Sequence, residues 1–559
     1  MIETLVDSFD IWGTALTQKS LGKKAGIDNI SLQGITRLRE LILKLAVRGK
    51  LVPQLENDEP SKSILKEIAK YDEIKFTKSA GSRRIKTIPD TVGDDIKFEV
   101  PDGWEWTKVS KIFEIQDSLR IPVNSKDRAN RVGPYPYYGA NGQVGFIDDY
   151  IFDGERILIA EDGGFFNDPI RGVAYIVNGK YWVNNHAHVL KVKGKSQSKF
   201  FVLFFNQMNW NPLVRGMTRD KLNQATLINI PIVLPPLAEQ HRIVAKVDEL
   251  TALCDKLEQQ QMNHIETHLK LVEALLQPLI DAISAKELKT AWQHLEPHFD
   301  ILFTTEESID LLKQTILQLA VMGKLVPQDP NDEPASVLLK KIEAEKNKLI
   351  KEGKLKKQNP LPEITEDEKP FELPESWEWS RLGDVITLKS GQDLTPKDYS
   401  DTVEVGLPYI TGASNLENER VIINRWTNSP KSIAFKGDLL LTCKGSGVGK
   451  MGWLHVLEAH IARQIMAVNT VVSDLQFIKI ILEANLSYIK SSANGLIPGI
   501  DRKTVLEMVS ALPPENEQNR IVAKVDELMG LCDQLKERIV ATQELKVKLA
   551  DAVVERAVN

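Results

Sequence analysis

Few residues of this 559-residue chain are arranged for catalysis. The nearest approach is the glycine loop Lys444-Gly445-Ser446-Gly447-Val448-Gly449-Lys450. Glycines beside lysines can cradle phosphate through backbone N–H groups. A nucleotide-binding P-loop needs glycine five residues before its final glycine and Ser or Thr after its lysine. Position 444 is Lys and position 451 is Met, so the pattern fits phosphate contact and not a nucleotide site. Pro89-Asp90 with Asp95-Ile96-Lys97 has the residue types of a nuclease carboxylate–lysine set, but its spacing is short and its surroundings loop-like. No Asn-Pro-Pro-Tyr or Asp-Pro-Pro-Tyr motif is present for methyl transfer to an amino group. His186 and His188 stand two apart without a third ligand, which leaves them as surface or strand histidines. Cys254, Cys443 and Cys532 form no Cys-x-x-Cys pair or Cys/His cluster, so neither zinc nor a disulfide framework is expected.

Hydrogen-bond donors at turns are more numerous. Arg, Lys, Asn and Gln match the edges of bases, Ser and Thr support them, and cations neutralise phosphates. Tyr138-Gly139-Ala140-Asn141-Gly142 is a Gly/Asn turn that could bring Tyr138 and Asn141 to a nucleic acid, although its composition also suits an ordinary hairpin. Arg215, Thr218, Arg219 and Lys221 gather basic and hydroxyl groups near a helix start. Further along, Thr411, Ser414 and Asn415 are candidate base readers and Lys444 and Lys450 candidate phosphate contacts. Arg502 and Lys503 are the counterparts of the 215–221 group.

A duplicated frame positions these turns. GKLVPQ occurs at 49–54 and 323–328, each time followed by Asn-Asp-Glu-Pro at 57–60 and 331–334, with an offset of 274. FEVPDGWEW at 98–106 matches FELPESWEW at 371–379, offset 273. RIVAKVDEL at 242–250 recurs identically at 520–528, offset 278, each copy after a Pro-Pro pair and a Glu-Gln pair. Between the Trp-Glu-Trp and Pro-Pro marks lie 107–233 and 380–511, of 127 and 132 residues, which differ plainly from each other. Two unlike inserts on a repeated frame point to two readers of different targets. The order is also cyclic: the central segment holds the Pro-Pro block followed by the GKLVPQ block, and the two ends together hold the same pair cut open. Closure would bring the termini together in a pseudo-two-fold particle.

After Pro236 the apolar positions Ile243, Val247, Leu250, Cys254 and Leu257 alternate by four and three, a heptad seam for a long helix. The seam fails at Gln261 and His264 and resumes one residue out of phase at Ile265, as a stutter or a break would produce. Ile521, Val525, Leu528, Cys532, Leu535 and Ile539 repeat it, so Cys254 and Cys532 are equivalent core positions. Residues 335–357 look helical, and 358–374, rich in proline and acid, look like a linker. The inserts alternate short β-type runs (RILIA, GVAYIV, HVLKV; LLLTC, IMAVNTVV) with one apolar run each, FFVLFFNQM and FIKIILEANL. Each is therefore a mixed α+β module.

With 42% apolar and 26% charged residues, the chain has the composition of a globular protein of about three or four units. No apolar run could cross a bilayer, and the opening MIETLVDSFDIWG lacks the features of a signal peptide, so a cytoplasmic protein is expected. The net charge of −6 is unusual for a nucleic-acid binder, but 107–233 carries 16 Lys/Arg against 11 Asp/Glu and 380–511 carries 14 against 13. The acidity lies in the frame.

The block 234–244, LPPLAEQHRIV, leading into a long helix, resembles the one that closes each target-recognition domain in the specificity subunits of type I restriction–modification systems. YPYYGANGQVGFID at 135–148 resembles a recurring stretch in one class of those domains, and GLPYITGASNL at 406–416 its counterpart in another. The resemblance covers essentially the whole chain. It implies an α+β fold with two α/β target-recognition domains joined by two long antiparallel helical conserved regions. The implied division is helical 1–97, recognition 98–233, helical 234–370, recognition 371–511 and helical 512–559. It further implies a non-catalytic, cytoplasmic subunit that reads a bipartite site in double-stranded DNA, the helices setting the unread spacer. A helix of about 25 residues spans roughly 38 Å, close to one turn of DNA. Modification (methyltransferase) subunits and restriction (motor–nuclease) subunits would be its partners, carrying S-adenosylmethionine, ATP and Mg, with no cofactor in this chain.

Two other readings remain open at this point: a self-contained methyltransferase–nuclease, and a helical scaffold that reads no DNA. The modest positive balance of the inserts predicts that the chain alone binds DNA weakly and gains affinity with its partners. Equal affinity in isolation and in the full complex, measured by titration at fixed salt, would contradict this.

Overall fold

The seam after each Pro-Pro pair folds as one long helix. In a computed structural model, which describes residues 9–18, 30–78, 98–166, 168, 171–216, 219–402, 406–445, 447–486 and 499–558, helix Leu237–Asp281 has 45 residues and helix Glu515–Val558 has 44. Both are longer than the rod of about 25 residues expected. The first runs unbroken through Gln261 and His264, so the phase slip is a stutter inside a continuous helix. Ile243, Val247 and Cys254 are buried before it, and Ile265, Val272, Leu276 and Leu279 after it. Cys254 and Cys532 are equally buried, and burial pushes both thiols up. The set Pro89-Asp90 and Asp95-Ile96-Lys97, like Thr218, lies outside the described residues.

The chain divides into two compact units. One comprises the described parts of Met1–Gln18, Ile30–Met262 and Gln543–Asn559, and the other the described parts of Asn263–Thr542. The termini meet in the first unit, as the cyclic order of the repeats predicts. Leu16 N–H donates to Gln543 Oε1 at 3.0 Å, and Arg37 pairs with Asp551 at 2.6 Å. Trp12, Leu41, Leu45, Ala550 and Val554 are buried in one cluster. The helices Phe9–Thr14 and Phe299–Leu302 both begin Phe-Asp-Ile, and the next residues, Trp12 and Leu302, are both buried. This further echo of the duplication escaped the sequence reading.

In the first unit, strands Phe113–Ile115, Ala187–Val192, Arg156–Ala160 and Ala174–Val177 form a four-stranded sheet in that order. Ile157, Leu158, Ile159 and Ala160 are all buried, as a run apolar on both faces requires. Helix Ser198–Asn206, the FFVLFFNQM run, supplies Phe200, Phe201, Phe204 and Phe205 to the core. A second sheet orders Gly142–Ile147, Tyr135–Gly139, Lys180–Val183 and Phe152–Asp153 around a parallel pair with Trp182 opposite Tyr137.

The second unit repeats this plan with other residues. Ile386–Ser390, Ile465–Thr470, Leu439–Thr442 and Met451–Trp453 are consecutive strands of one sheet. Trp426–Thr427, Leu407–Ile410, Glu458–Ile461 and Ile433–Phe435 form the other, again around a parallel pair with His460 opposite Tyr409. Helix Leu475–Ala484 replaces Ser198–Asn206. The two unlike inserts therefore share one α/β topology. Segment 358–374 is not a free linker: Arg381 donates to the carbonyls of Pro362 and Glu363 and pairs with Glu368 at 2.7 Å, holding that carboxyl down at about 2.

The repeated motifs meet where each long helix begins. In the first unit Trp104 Nε1 donates to Glu239 Oε2 at 2.9 Å and Gln54 Nε2 to Glu239 Oε1 at 2.7 Å. Arg242 pairs with Asp58 at 2.5 Å. Gln240 donates to the Pro235 carbonyl and accepts from Gln197 N–H. In the second unit Trp377 donates to Glu517 at 3.1 Å, Arg520 pairs with Asp332 at 2.6 Å, and Gln518 bonds Pro513 and Asp474 N–H. Gly49 and Gly323 have φ of +68° and +70°, and a Cβ on either would strike Pro101 or Pro374 within 3 Å. No side chain fits there, which explains the glycine of GKLVPQ.

Hydrogen bonds from Arg242 and Arg520 hold Asp58 and Asp332 below the ordinary aspartate value of 3.8. Lowered carboxylates stabilise the fold above the unfolded-state value, and that contribution is lost as pH falls through the lowered value. Glu239 and Glu517, raised by burial against the pull of their tryptophans, act in the opposite sense. They are common to both proteins in a comparison of the wild type with D58N/D332N. The double variant is expected to melt earlier at pH 7 and to lose part of this deficit below pH 4. A pH-independent difference in melting temperature would contradict it.

Candidate nucleic-acid interface

In the first recognition domain the loops at one end of the sheets are tied together by backbone bonds. Arg215 and Lys221 exchange N–H···O bonds of 3.1 and 3.2 Å as an antiparallel bridge. Leu222 N–H bonds the Glu161 carbonyl at 2.7 Å, and Glu161 N–H bonds that of His186 at 2.8 Å. Asn141 Nδ2 donates to the Gly163 carbonyl at 2.9 Å. Loops 139–142, 161–163, 184–186 and 215–222 thus form one cluster that gathers Asn141, Arg215, Arg219 and Lys221, all exposed. Tyr138 differs from expectation. It is half-buried, its ring 6.0 Å from Tyr175 and 5.7 Å from Tyr181, so it packs the sheet beneath the turn instead of leaving it.

Buried charges support the cluster from below. His188 lies between Asp117 (Nδ1···Oδ2 2.6 Å) and the Leu222 carbonyl (Nε2···O 2.8 Å). Arg120 joins Glu161 to the Ala187 carbonyl at 2.8 and 2.7 Å, and Lys221 reaches Glu161 at 3.4 Å. Burial alone would raise the Asp117 carboxyl, but the hydrogen bond and charge of His188 and the N–H of Val189 hold it below its ordinary value. At the surface, His186 Nδ1 stands 2.5 Å from Asp162 Oδ1, and its backbone N–H bonds Asn184 Oδ1 at 2.8 Å.

The second domain builds the same end differently. Asn415 is fully buried. Its Oδ1 accepts from Thr411 N–H and hydroxyl at 3.0 and 2.9 Å, and its Nδ2 donates to the Ile422 carbonyl and Asn424 Oδ1. Asn415 is therefore the clasp of its loop and not a base reader, and Thr411 is its partner; of the three candidates, Ser414 alone is exposed. Arg502 is also corrected. It is half-buried and donates to the Leu388 carbonyl, leaving Lys503 exposed beside it. The glycine loop seats on the 411–415 loop, where a Cβ on Gly447 would come within 2.1 Å of Ala413 Cβ. It leaves Lys444 and Lys450 exposed and leads into strand Met451–Trp453, where a P-loop would lead into a helix.

Sequence reasoning missed two pairs at the loop end, one half-buried and one exposed. His186–Asp162 is one. The other is Arg463, whose Nε lies 3.2 Å from Asp393 Oδ2 and whose backbone N–H donates to Asp393 Oδ1 at 3.0 Å. The available signal was a polar break between two strand runs, Asn184-Asn185-His186 in one domain and Arg463-Gln464 in the other. Among the described residues no group of three or more His, Cys, Asp or Glu could hold a metal, and no helix is long and apolar enough to cross a membrane.

Comparison with known proteins agrees with this geometry. The family model "Type I restriction modification DNA specificity domain" matches twice, over 101–267 and 374–544, each match running from a Trp-Glu-Trp block into a long helix. The chain is 35% identical to the type I restriction enzyme EcoAI specificity subunit of Escherichia coli, over 99% of each chain. It is 34% identical to the EcoEI specificity subunit of Escherichia coli over the full length of both. Two recognition domains of one topology, each clamped to a long helix by the same motifs, and matches along the whole chain make one conclusion: it belongs to the type I restriction–modification specificity family, as a specificity subunit with two target-recognition domains.

Proposed function

We propose that each recognition domain reads one half of a bipartite, asymmetric site in double-stranded DNA through its clustered loops, and that the long helices fix the spacer between the halves. The observation that carries this reading is a shared topology bearing unlike loops. The strands and joints are alike in the two domains, while the residues exposed at the loop end differ almost throughout. A scaffold that read nothing would have no use for that difference. The chain itself holds no cofactor and performs no chemistry; it works in the cytoplasm as the address of a larger enzyme. Modification subunits carrying S-adenosylmethionine dock on the helices, where Leu253, Leu271, Leu531, Leu545 and Leu549 are exposed, and motor–nuclease subunits using ATP and Mg join them.

Arg215, Arg219, Lys444 and Lys450 act on this reading through phosphate. Replacing either pair by Ala should weaken binding on all sequences alike and flatten the slope of log K against log salt by about 0.9 for each phosphate no longer neutralised. An unchanged slope would exclude phosphate contact. Inserting one helical turn, about 5.4 Å, into both long helices should change the spacer by about one or two base pairs and leave the half-sites as they were. A fixed spacer in a folded variant would end the ruler account.

A further inference from the structure

The loop that follows the central parallel strand has the same length and place in both domains. It is 184–186 between strands Lys180–Val183 and Ala187–Val192, and 462–464 between Glu458–Ile461 and Ile465–Thr470. Registers align the two: Ala187 faces Ala160, as Ile465 faces Thr442. The last residue of each loop accepts an N–H bond of 2.8 Å from the residue after the neighbouring strand, His186 from Glu161 and Gln464 from Cys443. On this common platform the domains place different side chains with one feature shared, a nitrogen side chain oriented by an aspartate. His186 is held through Nδ1 by Asp162, and Arg463 through Nε by Asp393. Both remain open to solvent, His186 at 44% and Arg463 at 69% of side-chain area. An exposed Arg or His gains little stability from such a pair. It gains direction, because tethering one nitrogen fixes where the remaining nitrogens point.

We propose that this three-residue loop is the main base-reading element of each domain, and that His186 directs an acceptor to an exocyclic amino group and Arg463 a donor fork to a guanine, each in its own half-site. This rests on the function proposed above. With Nε engaged by Asp393, the two terminal nitrogens of Arg463 form the fork that matches guanine O6 and N7. With Nδ1–H donated to Asp162, His186 presents Nε2 as an acceptor, which matches the exocyclic amino group of adenine or cytosine. Asp162 and Asp393 are positioning residues, and the exposed lysines nearby serve phosphate.

The test is selection from random duplex DNA by the full chain with its partner subunits, for wild type, H186A, R463A, D393N and R463K. Wild type should return a two-part motif. H186A should lose its preference at one adenine or cytosine of one half, and R463A at one guanine of the other, each by about ten- to a hundredfold, with the opposite half unchanged as an internal control. D393N should weaken the Arg463-dependent preference without abolishing binding, and R463K should not restore it. Replacing that guanine by 7-deazaguanine should lower wild-type affinity and leave R463A unaffected. Unaltered motifs in both alanine variants would overturn the inference, as would a uniform loss of affinity over all sequences, which would make these residues phosphate anchors. Failure of the wild type to select any motif would instead overturn the function on which the inference rests.

Discussion

Each half of the chain depends on a buried glutamate at the start of its long helix. Glu239 and Glu517 are almost fully enclosed, and an enclosed carboxylate is costly unless hydrogen bonds replace water. Trp104 and Trp377 supply those bonds from the edge of the recognition domain, and Gln54 supplies another from the GKLVPQ block. Around Glu239, three segments far apart in sequence must therefore be folded together before both carboxylate oxygens are satisfied. The motifs recur for this reason. The Trp, Glu and Gln that the motifs share meet in the joint, and the ion pairs Arg242–Asp58 and Arg520–Asp332 close it from the Asn-Asp-Glu-Pro side.

The joint frees the far end of each recognition domain to vary. Strand order, the parallel pair and the helix behind the sheet agree between the domains, and the hydroxyls of Tyr137 and Tyr409 both accept from a backbone N–H, of Val123 and Leu394. The 184–186 and 462–464 loops are held by backbone bonds that do not depend on side-chain identity. The first domain adds the Asp117–His188 pair beneath its loops, where the second has Ser390 and Met466 on the corresponding strands. Side chains at the tips can change while the platform stays fixed, as two readers of different sequences require.

Much of this was legible in the residues. Repeats marked the frame and its cyclic closure, the heptad seam marked the long helices, and apolar runs marked the strands and core helices, because burial imposes period and composition on all of them. The loops were less legible. Asn415 has the composition of a base reader, and only its position inside a turn with four polar partners shows it to be structural. Arg502 looks like a free cation and is fastened to the middle of strand Ile386–Ser390. Arg463 and Asp393 are 70 residues apart, and His186 and Asp162 are 24 apart. No local pattern pairs them; the sheet registers do. The stutter at Gln261 could not be told from a break by periodicity alone, since both shift the seam by one residue.

The central claim is that two domains of one chain address a single site in two parts. Mapping methylated adenines across the genome of a host that carries the modification subunits, with and without this chain, tests it most directly. The account predicts two short, dissimilar motifs separated by an unread spacer of constant length, methylated only when the chain is present. Methylation that is unchanged by its removal, or that falls on one continuous motif, would contradict the account.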